Sequence, residues 1–293
     1  MVEDDQGNIW IGLFGGGLWK HSGNATTRFY DKTAGQPFPM ISKLKIYDNQ
    51  LWIATAGGGC VCLDLQNKRF KEIRQCPGFM KLHGLLKTAA GEYLIGSVGS
   101  GTAILDESTE PPQWKPISSR TLSHLAWVNH LGEWQGKLWL ATTNGIYSTD
   151  SVALATNWKP VSAGLSEGIN HFCSHGGKLY LATASRGVFY MKPGKQPVPV
   201  RNTYGEIHFI TIFKNRVIAG GRYGLWEISD DNVAREITNF PQLVAKSALV
   251  TRKNFLMIGA DNGVILITNN LRDFETFLKI REFEFEETSK NAH

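Results

Sequence analysis

Charge is scarce in this chain. Only 19% of its 293 residues are Asp, Glu, Lys or Arg, against about a quarter in an ordinary soluble domain. Disorder needs the reverse balance, few apolar residues and many charges, so a folded chain is expected. The net charge is +5, with no basic run or stripe, which leaves no footprint for nucleic acid or a polybasic membrane contact. Long apolar runs are missing too, and none approaches the roughly 18 residues of a membrane-spanning helix. Cysteine is limited to Cys60, Cys62, Cys76 and Cys173. There is no zinc-type Cys-x-x-Cys. Cys60 and Cys62 stand two apart on one strand, a spacing that closes a disulfide poorly, so buried free thiols are expected. The opening Met1-Val2-Glu3-Asp4-Asp5 is acidic and lacks an apolar segment. With no export signal, the expected location is cytoplasmic, or periplasmic or extracytoplasmic if the chain is a fragment of a receptor.

Glycine and tryptophan are abundant, at 31 and 9 residues, and they recur in a pattern. Ile9-Trp10-Ile11-Gly12 followed by Gly15-Gly16-Gly17 returns as Leu51-Trp52-Ile53-Ala54-Thr55 with Gly57-Gly58-Gly59. It returns as Tyr93-Leu94-Ile95-Gly96-Ser97 with Gly101, and as Leu138-Trp139-Leu140-Ala141-Thr142 with Gly145. Three looser copies follow: Leu179-Tyr180-Leu181-Ala182-Thr183 with Gly187, Val217-Ile218-Ala219-Gly220 with Gly224, and Met257-Ile258-Gly259 with Gly263. Each copy sits 37 to 45 residues from the next and carries a glycine six or seven residues after its anchor. Each unit reads as four short strands, the second bearing the anchor and the glycine ending the loop before the third. Four strands in about 40 residues, seven times over, is the arithmetic of an all-β seven-bladed β-propeller. Residues 1–293 are read as one domain. The first copy begins almost at its second strand, so blade one is expected to borrow its missing strand from the alternating segment Lys279–Glu286, closing the ring.

The phrase Asp4-x-x-Gly7-Asn8-Ile9-Trp10-Ile11-Gly12 with Gly15-Gly16-Gly17-Leu18-Trp19 closely resembles the two-component-regulator propeller repeat. Trp158-Lys159-Pro160-Val161-Ser162-Ala163-Gly164-Leu165 resembles, more weakly, the blade junctions of sialidase-type propellers. The Ser-x-Asp-x-Gly-x-Thr-Trp box of the latter is absent, which speaks against glycosidase chemistry. The first resemblance implies the ligand-sensing part of a membrane receptor, often one for glycans. The chain departs from it by lacking a membrane helix, a kinase and an Ig-like segment.

A propeller gathers its innermost strands around an axial channel. The starts of six of them carry a basic or imidazole residue: Lys43, His83, His124, His171, His208 and Lys246. Such a column suits an anion, because lysines supply fixed charge and imidazoles supply donors whose charge rises as pH falls. Arg186, Arg222 and Tyr223, in loops of adjacent blades, are expected at the same mouth, the arginines as forks for carboxylate or phosphate. Tyr223 and Phe14 are placed to stack on a sugar ring. The competing expectation is that the column only hydrogen-bonds neighbouring blades. An alternative chemistry has His83, His124, His171 and His208 bind one transition metal ion, as the axial histidines of carotenoid-cleaving oxygenases and some polysaccharide lyases do. Nearby lysines oppose that cation. His171-x-Cys173-x-His175 is a second metal candidate.

The function expected from these observations is a non-catalytic recognition module without a cofactor. It would bind an anionic small molecule, an acidic glycan or an acidic protein segment at the funnel. The alternatives are a metal-dependent propeller enzyme and a plain protein scaffold.

Overall fold

The computed structural model describes residues 1–29, 40–118, 127–155, 157–161, 165 and 167–280. These residues form seven separate four-stranded antiparallel sheets, each ordered from the axis outwards along the chain. The innermost strands are Val2–Glu3, Ile41–Tyr47, Leu82–Lys87, Val128–Trp134, Ile169–His175, Ile207–Phe213 and Ala245–Val250, for blades one to seven. The only helix among the described residues is one 3₁₀ turn, Val152–Leu154.

The repeated phrase is the second strand of each blade. A second strand has a neighbouring blade against each face, so it cannot alternate apolar with polar and reads instead as a continuous buried run. Tyr93–Ser97 is buried at every residue. So are Lys137–Thr142 and Lys178–Thr183 beyond their first residue. The hydroxyl that ends the phrase closes the following loop. Thr183 Oγ1 donates to Gly187 O (2.8 Å) and accepts from Arg186 N–H (2.9 Å). Thr55 does the same with Gly59 O (2.9 Å) and Gly58 N–H (2.8 Å). Gly187 has φ +80°, and a Cβ there would lie 2.6 Å from the Thr203 backbone. The regular pairing of anchor and glycine in the sequence is this hydroxyl-closed loop, repeated.

The acidic residue of the first phrase is also structural. Asp4 is buried and accepts from Gln6 N–H (3.0 Å), Asn8 N–H (2.9 Å), Asn8 Nδ2 (2.9 Å) and Trp10 Nε1 (2.9 Å). Burial alone would raise its pKa, but the hydrogen bonds from Asn8 and Trp10 outweigh that and hold it below the usual carboxylate value.

Ring closure differs from the sequence expectation. Blade one supplies its own innermost strand, Val2–Glu3, paired to Trp10 and Ile9. Lys279 is the last residue of blade seven's own outermost strand, Glu275–Lys279, paired to Val264. The two-residue strand was too short to register as a period-2 pattern. Residues 281–286 of the expected closing segment lie outside the described residues. Blades one and seven meet instead through side chains. Ile9 and Ile11 pack with Met257, Ile265 and Ile280, Arg252 N–H donates to Glu3 Oε2 (2.7 Å), and Arg252 pairs with Asp5.

Replacing Thr183 by the near-isosteric Val leaves the Arg186 N–H without its acceptor, while the Gly187 carbonyl keeps the Thr183 N–H (3.1 Å). Chemical denaturation is expected to show a loss of about 1 kcal/mol. A change within error would mean the hydroxyl does not close the loop.

Candidate functional site

Six of the innermost strands carry a β-bulge at their channel-entrance end. The register skips one residue between Ile41 and Lys43, Leu82 and Gly84, Val128 and His130, Ile169 and His171, Ile207 and Phe209, and Ala245 and Ser247. The skipped residues are Ser42, His83, Asn129, Asn170, His208 and Lys246. A bulge leaves its extra residue unpaired in the ladder and re-aims its side chain. Four of the six side chains reach sideways to the next blade, always to the carbonyl just before its bulge. Ser42 Oγ donates to Leu82 O, Asn129 Nδ2 to Ile169 O (2.9 Å), Asn170 Nδ2 to Ile207 O (2.9 Å) and His208 Nδ1 to Ala245 O (2.8 Å). This is a circumferential stitch holding blade to blade.

The predicted column therefore divides between two registers. His83, His208 and Lys246 are bulge residues. His208 serves the stitch, as the competing expectation had it, and its Nε2 faces Glu206 Oε1 (3.1 Å) and Lys246 Nζ (3.4 Å). Lys43 and His171 stand one residue further along, opposite Ala54 and Ala182 in the second strands. His124 lies outside the described residues. The blade-four residue equivalent to Lys43 and His171 is His130, opposite Ala141, which the sequence reading missed. The signal was present: His130 precedes Trp139 by nine residues, as Lys43 precedes Trp52 and His171 precedes Tyr180, whereas His124 is fifteen away.

Lys43, His130 and His171 converge. Lys43 Nζ lies 3.1 Å from His130 Nδ1. The His130 and His171 rings stack with centroids 4.0 Å apart, and the edge of Phe172 closes on His130 at 4.7 Å. His171 Nδ1 accepts from Ile210 N–H at 3.3 Å, which fixes its tautomer with the proton on Nε2. Lys45 follows Lys43 on the same strand face, and Cys173 follows His171. None of Lys43, Lys45, His83, His130 and His171 has a carboxylate partner among the described residues.

Burial without counter-charge disfavours protonation throughout this group. Desolvation, with Lys45 adding repulsion, pushes Lys43 down to about 7. Desolvation also lowers Lys45 and, with Lys43, lowers His83. His130 falls well below the usual imidazole value through burial, His171, Lys43 and Lys45, and His171 does so through burial and the two lysines. The Cys173 thiol is pushed up to about 11 by burial, although Lys45 pulls it down. Lys43, Lys45, His83 and His171 are nevertheless half-exposed, because they line an open channel rather than a sealed core.

The remaining predicted residues lie on the face where the chain enters the innermost strands. Arg186 is already engaged: its Nε is 3.7 Å from Glu167 Oε2 and its guanidinium lies 5.0 Å from the centre of the Phe189 ring. It is not a free fork. Arg222 is exposed, and its backbone N–H donates to Glu206 O at 3.0 Å. Tyr223 is 55% exposed and faces Tyr204 at 5.8 Å, while Tyr204 sets its edge on Trp226. Phe14, Met80 and Trp127 are the other exposed large apolar residues of this face.

Among the described residues no three His, Cys, Asp or Glu are placed to hold an ion, and His208 spends Nδ1 on the stitch. Two surface cavities, of about 400 and 310 Å³, are lined by residues of the opposite face, including Asp4 and Lys68 in one and Trp134 and Met191 in the other. Neither includes a channel base.

Neither a protein-family model nor a curated protein matches this sequence. Solved structures match in fold. Streptogramin B lyase is similar with a TM-score of 0.69 at 11% identity, over 88% of this chain and 89% of the lyase. YCF48, solved bound to D1 peptide, gives 0.69 at 12% identity over 91% of each chain. The extracellular domain of a hybrid two-component system from B. thetaiotaomicron gives 0.68 at 14% identity, over 88% of this chain and 36% of that one. This chain thus spans about a third of that receptor domain. Identities this low establish architecture, not activity: the chain is a seven-bladed all-β propeller. The resemblance read from its first repeats is met at that level, and no helix among the described residues is long and apolar enough to cross a membrane.

Asn170→Ala is expected to cost about 1 kcal/mol through loss of the Ile207 carbonyl bond. His208→Asn should leave stability nearly unchanged, because Asn performs the same task at positions 129 and 170. Thermal melts of the two variants check this, and equal losses in both would contradict the stitch.

Proposed function

We propose that the propeller is a recognition module whose axial channel binds an anionic ligand. The observation that supports this most directly is the gathering of Lys43, Lys45, His83, His130 and His171 around one opening, none of them paired with a carboxylate among the described residues, the nearest such pairing being Glu206 with His208. Such a group resists protonation when empty. An arriving anion supplies the missing counter-charge, so binding and proton uptake are coupled. The exposed Tyr223, Tyr204, Trp127, Met80 and Phe14 on the entry face offer apolar contact to whatever part of the ligand remains outside. A neighbour solved with a bound peptide and another from a two-component receptor accord with a recognition role.

The sign of the pH dependence follows from the lowered pKa values. Lys43 in the folded protein sits near 7, below its unfolded value of about 10.4. Between those values the unfolded chain binds the extra proton, so the Lys43 contribution to stability is fully present at alkaline pH and is lost as pH falls toward 7. An anion reverses that loss.

Citrate, titrated calorimetrically, is expected to bind more tightly as pH drops from 8.5 to 6.0, and to raise the melting temperature more at pH 6.5 than at 9. Lys43→Met should weaken binding by about tenfold or more, the equivalent of one charge-assisted contact. It should not lower the melting temperature, since it removes a desolvated charge. Binding that ignores pH, or that survives Lys43→Met intact, would remove the channel as the site.

A further inference from the structure

The titratable groups that face Lys43 among the described residues are bases. Lys45 follows on its own strand, His83 faces it from blade three, His130 from blade four and His171 from blade five, while Cys173 faces Lys45. From blade one the amino group of Met1 senses both lysines. The Lys43 side chain reaches past blade three, where the equivalent residue is Gly84, paired to Gly96, to His130 of blade four.

Two basic nitrogens 3.1 Å apart share a hydrogen bond only if one of them presents a lone pair. A second proton on the pair is opposed by Lys45 and by the imidazole stacked on His130. Lys43 near 7 is thus a free amine for a large fraction of the time at neutral pH, half-exposed to the channel. A desolvated lysine beside another cation is the arrangement that turns an ammonium into a nucleophile.

We propose that Lys43 forms a reversible imine with a small aldehyde or 2-oxo acid that carries a carboxylate. This rests on the anion reading of the channel, since Lys45, His83 and His171 are the groups that hold the carboxylate. The Nζ lone pair adds to the carbonyl carbon, and one of the two nitrogen protons passes through His130 Nδ1 to the new alkoxide, giving a carbinolamine. The second nitrogen proton follows the same route to the hydroxyl, which leaves as water while C=N replaces C–O. Amine and carbonyl become imine and water, with no oxidant or reductant consumed. His130 is suited to the transfer because it is only 7% exposed and is fixed between the His171 and Phe172 rings.

The test treats the unaltered protein with a substoichiometric amount of glyoxylate and sodium cyanoborohydride, then maps carboxymethyl-lysine by peptide mass spectrometry. Lys43 is expected to take about tenfold or more label than the exposed Lys68, Lys195 and Lys253, because burial beside Lys45 and the contact with His130 keep its amine free for a large fraction of the time at pH 7. Its labelling should level off just above pH 7. Excess citrate should suppress labelling at Lys43 and leave theirs untouched. His130→Gln should slow trapping at Lys43 by about tenfold while labelling of the exposed lysines stays as it was. Labelling spread by exposure alone, with Lys43 no more reactive than the others, overturns the imine. If citrate still binds with its pH dependence in that case, the anion reading stands and only the imine falls. If citrate does not bind either, both fall.

Discussion

Every feature of this molecule is conditioned by sheets that have no free face. A four-stranded blade is too small to bury its apolar surface alone, so it must lie between two others. The second strands, buried on both sides, carry most of that burden. Their small and β-branched residues let adjacent sheets approach: a Cβ on Gly96 would sit 2.2 Å from Val128 Cγ1, and one on Gly12 would sit 2.4 Å from Ile41 Cγ2. Once the blades are pressed together in this way, the innermost strands have nowhere to go but around the axis. Their bulged ends then decide which side chains face a neighbour and which face the opening.

Reading the chain alone was effective where the physics repeats. Seven second strands obey one packing requirement, and each copy corroborates the rest, so the blade count and strand order were legible. The site was harder because a bulge inserts one residue into a two-residue period. Lys43 and His171 were found, but they were placed in the same column as His208, which occupies the preceding register and bonds the Ala245 carbonyl. His130 escaped notice because the basic residue sought in blade four was His124, too far from its anchor to share the register. Arg186 looked free in sequence, since nothing in its loop reveals that Glu167, in the connection before the blade's innermost strand, has already claimed it. The two-residue strand Val2–Glu3 falls below any periodicity a sequence can display.

The channel and the stitch obey opposite rules although they are one residue apart. Stitch residues need only a short donor that reaches a carbonyl, so serine, asparagine and histidine serve interchangeably. Channel residues are distinguished by unmet electrostatic demand. A protein built only for stability has no reason to place Lys43 against His130 and then stack His171 on the same ring. Desolvation and mutual repulsion work against every protonation there. Placing that demand around an opening, with apolar side chains exposed on the entry face, separates it from the doubly buried strands that hold the ring together.

The junction between blades one and seven has a property the other six do not share. Elsewhere the polypeptide itself runs from one sector to the next, whereas here the described residues bridge the gap by side-chain packing, with Ile9, Ile11, Met257, Ile265 and Ile280 in one cluster and His21 against Phe277, and by the Arg252 bonds to Glu3 and Asp5. The disc is in effect a split washer. Thermal breathing will concentrate at its slit, and because the Met1 amino group of blade one stands near Lys43 and Lys45, any widening there changes the bore of the channel on the side where its cations stand.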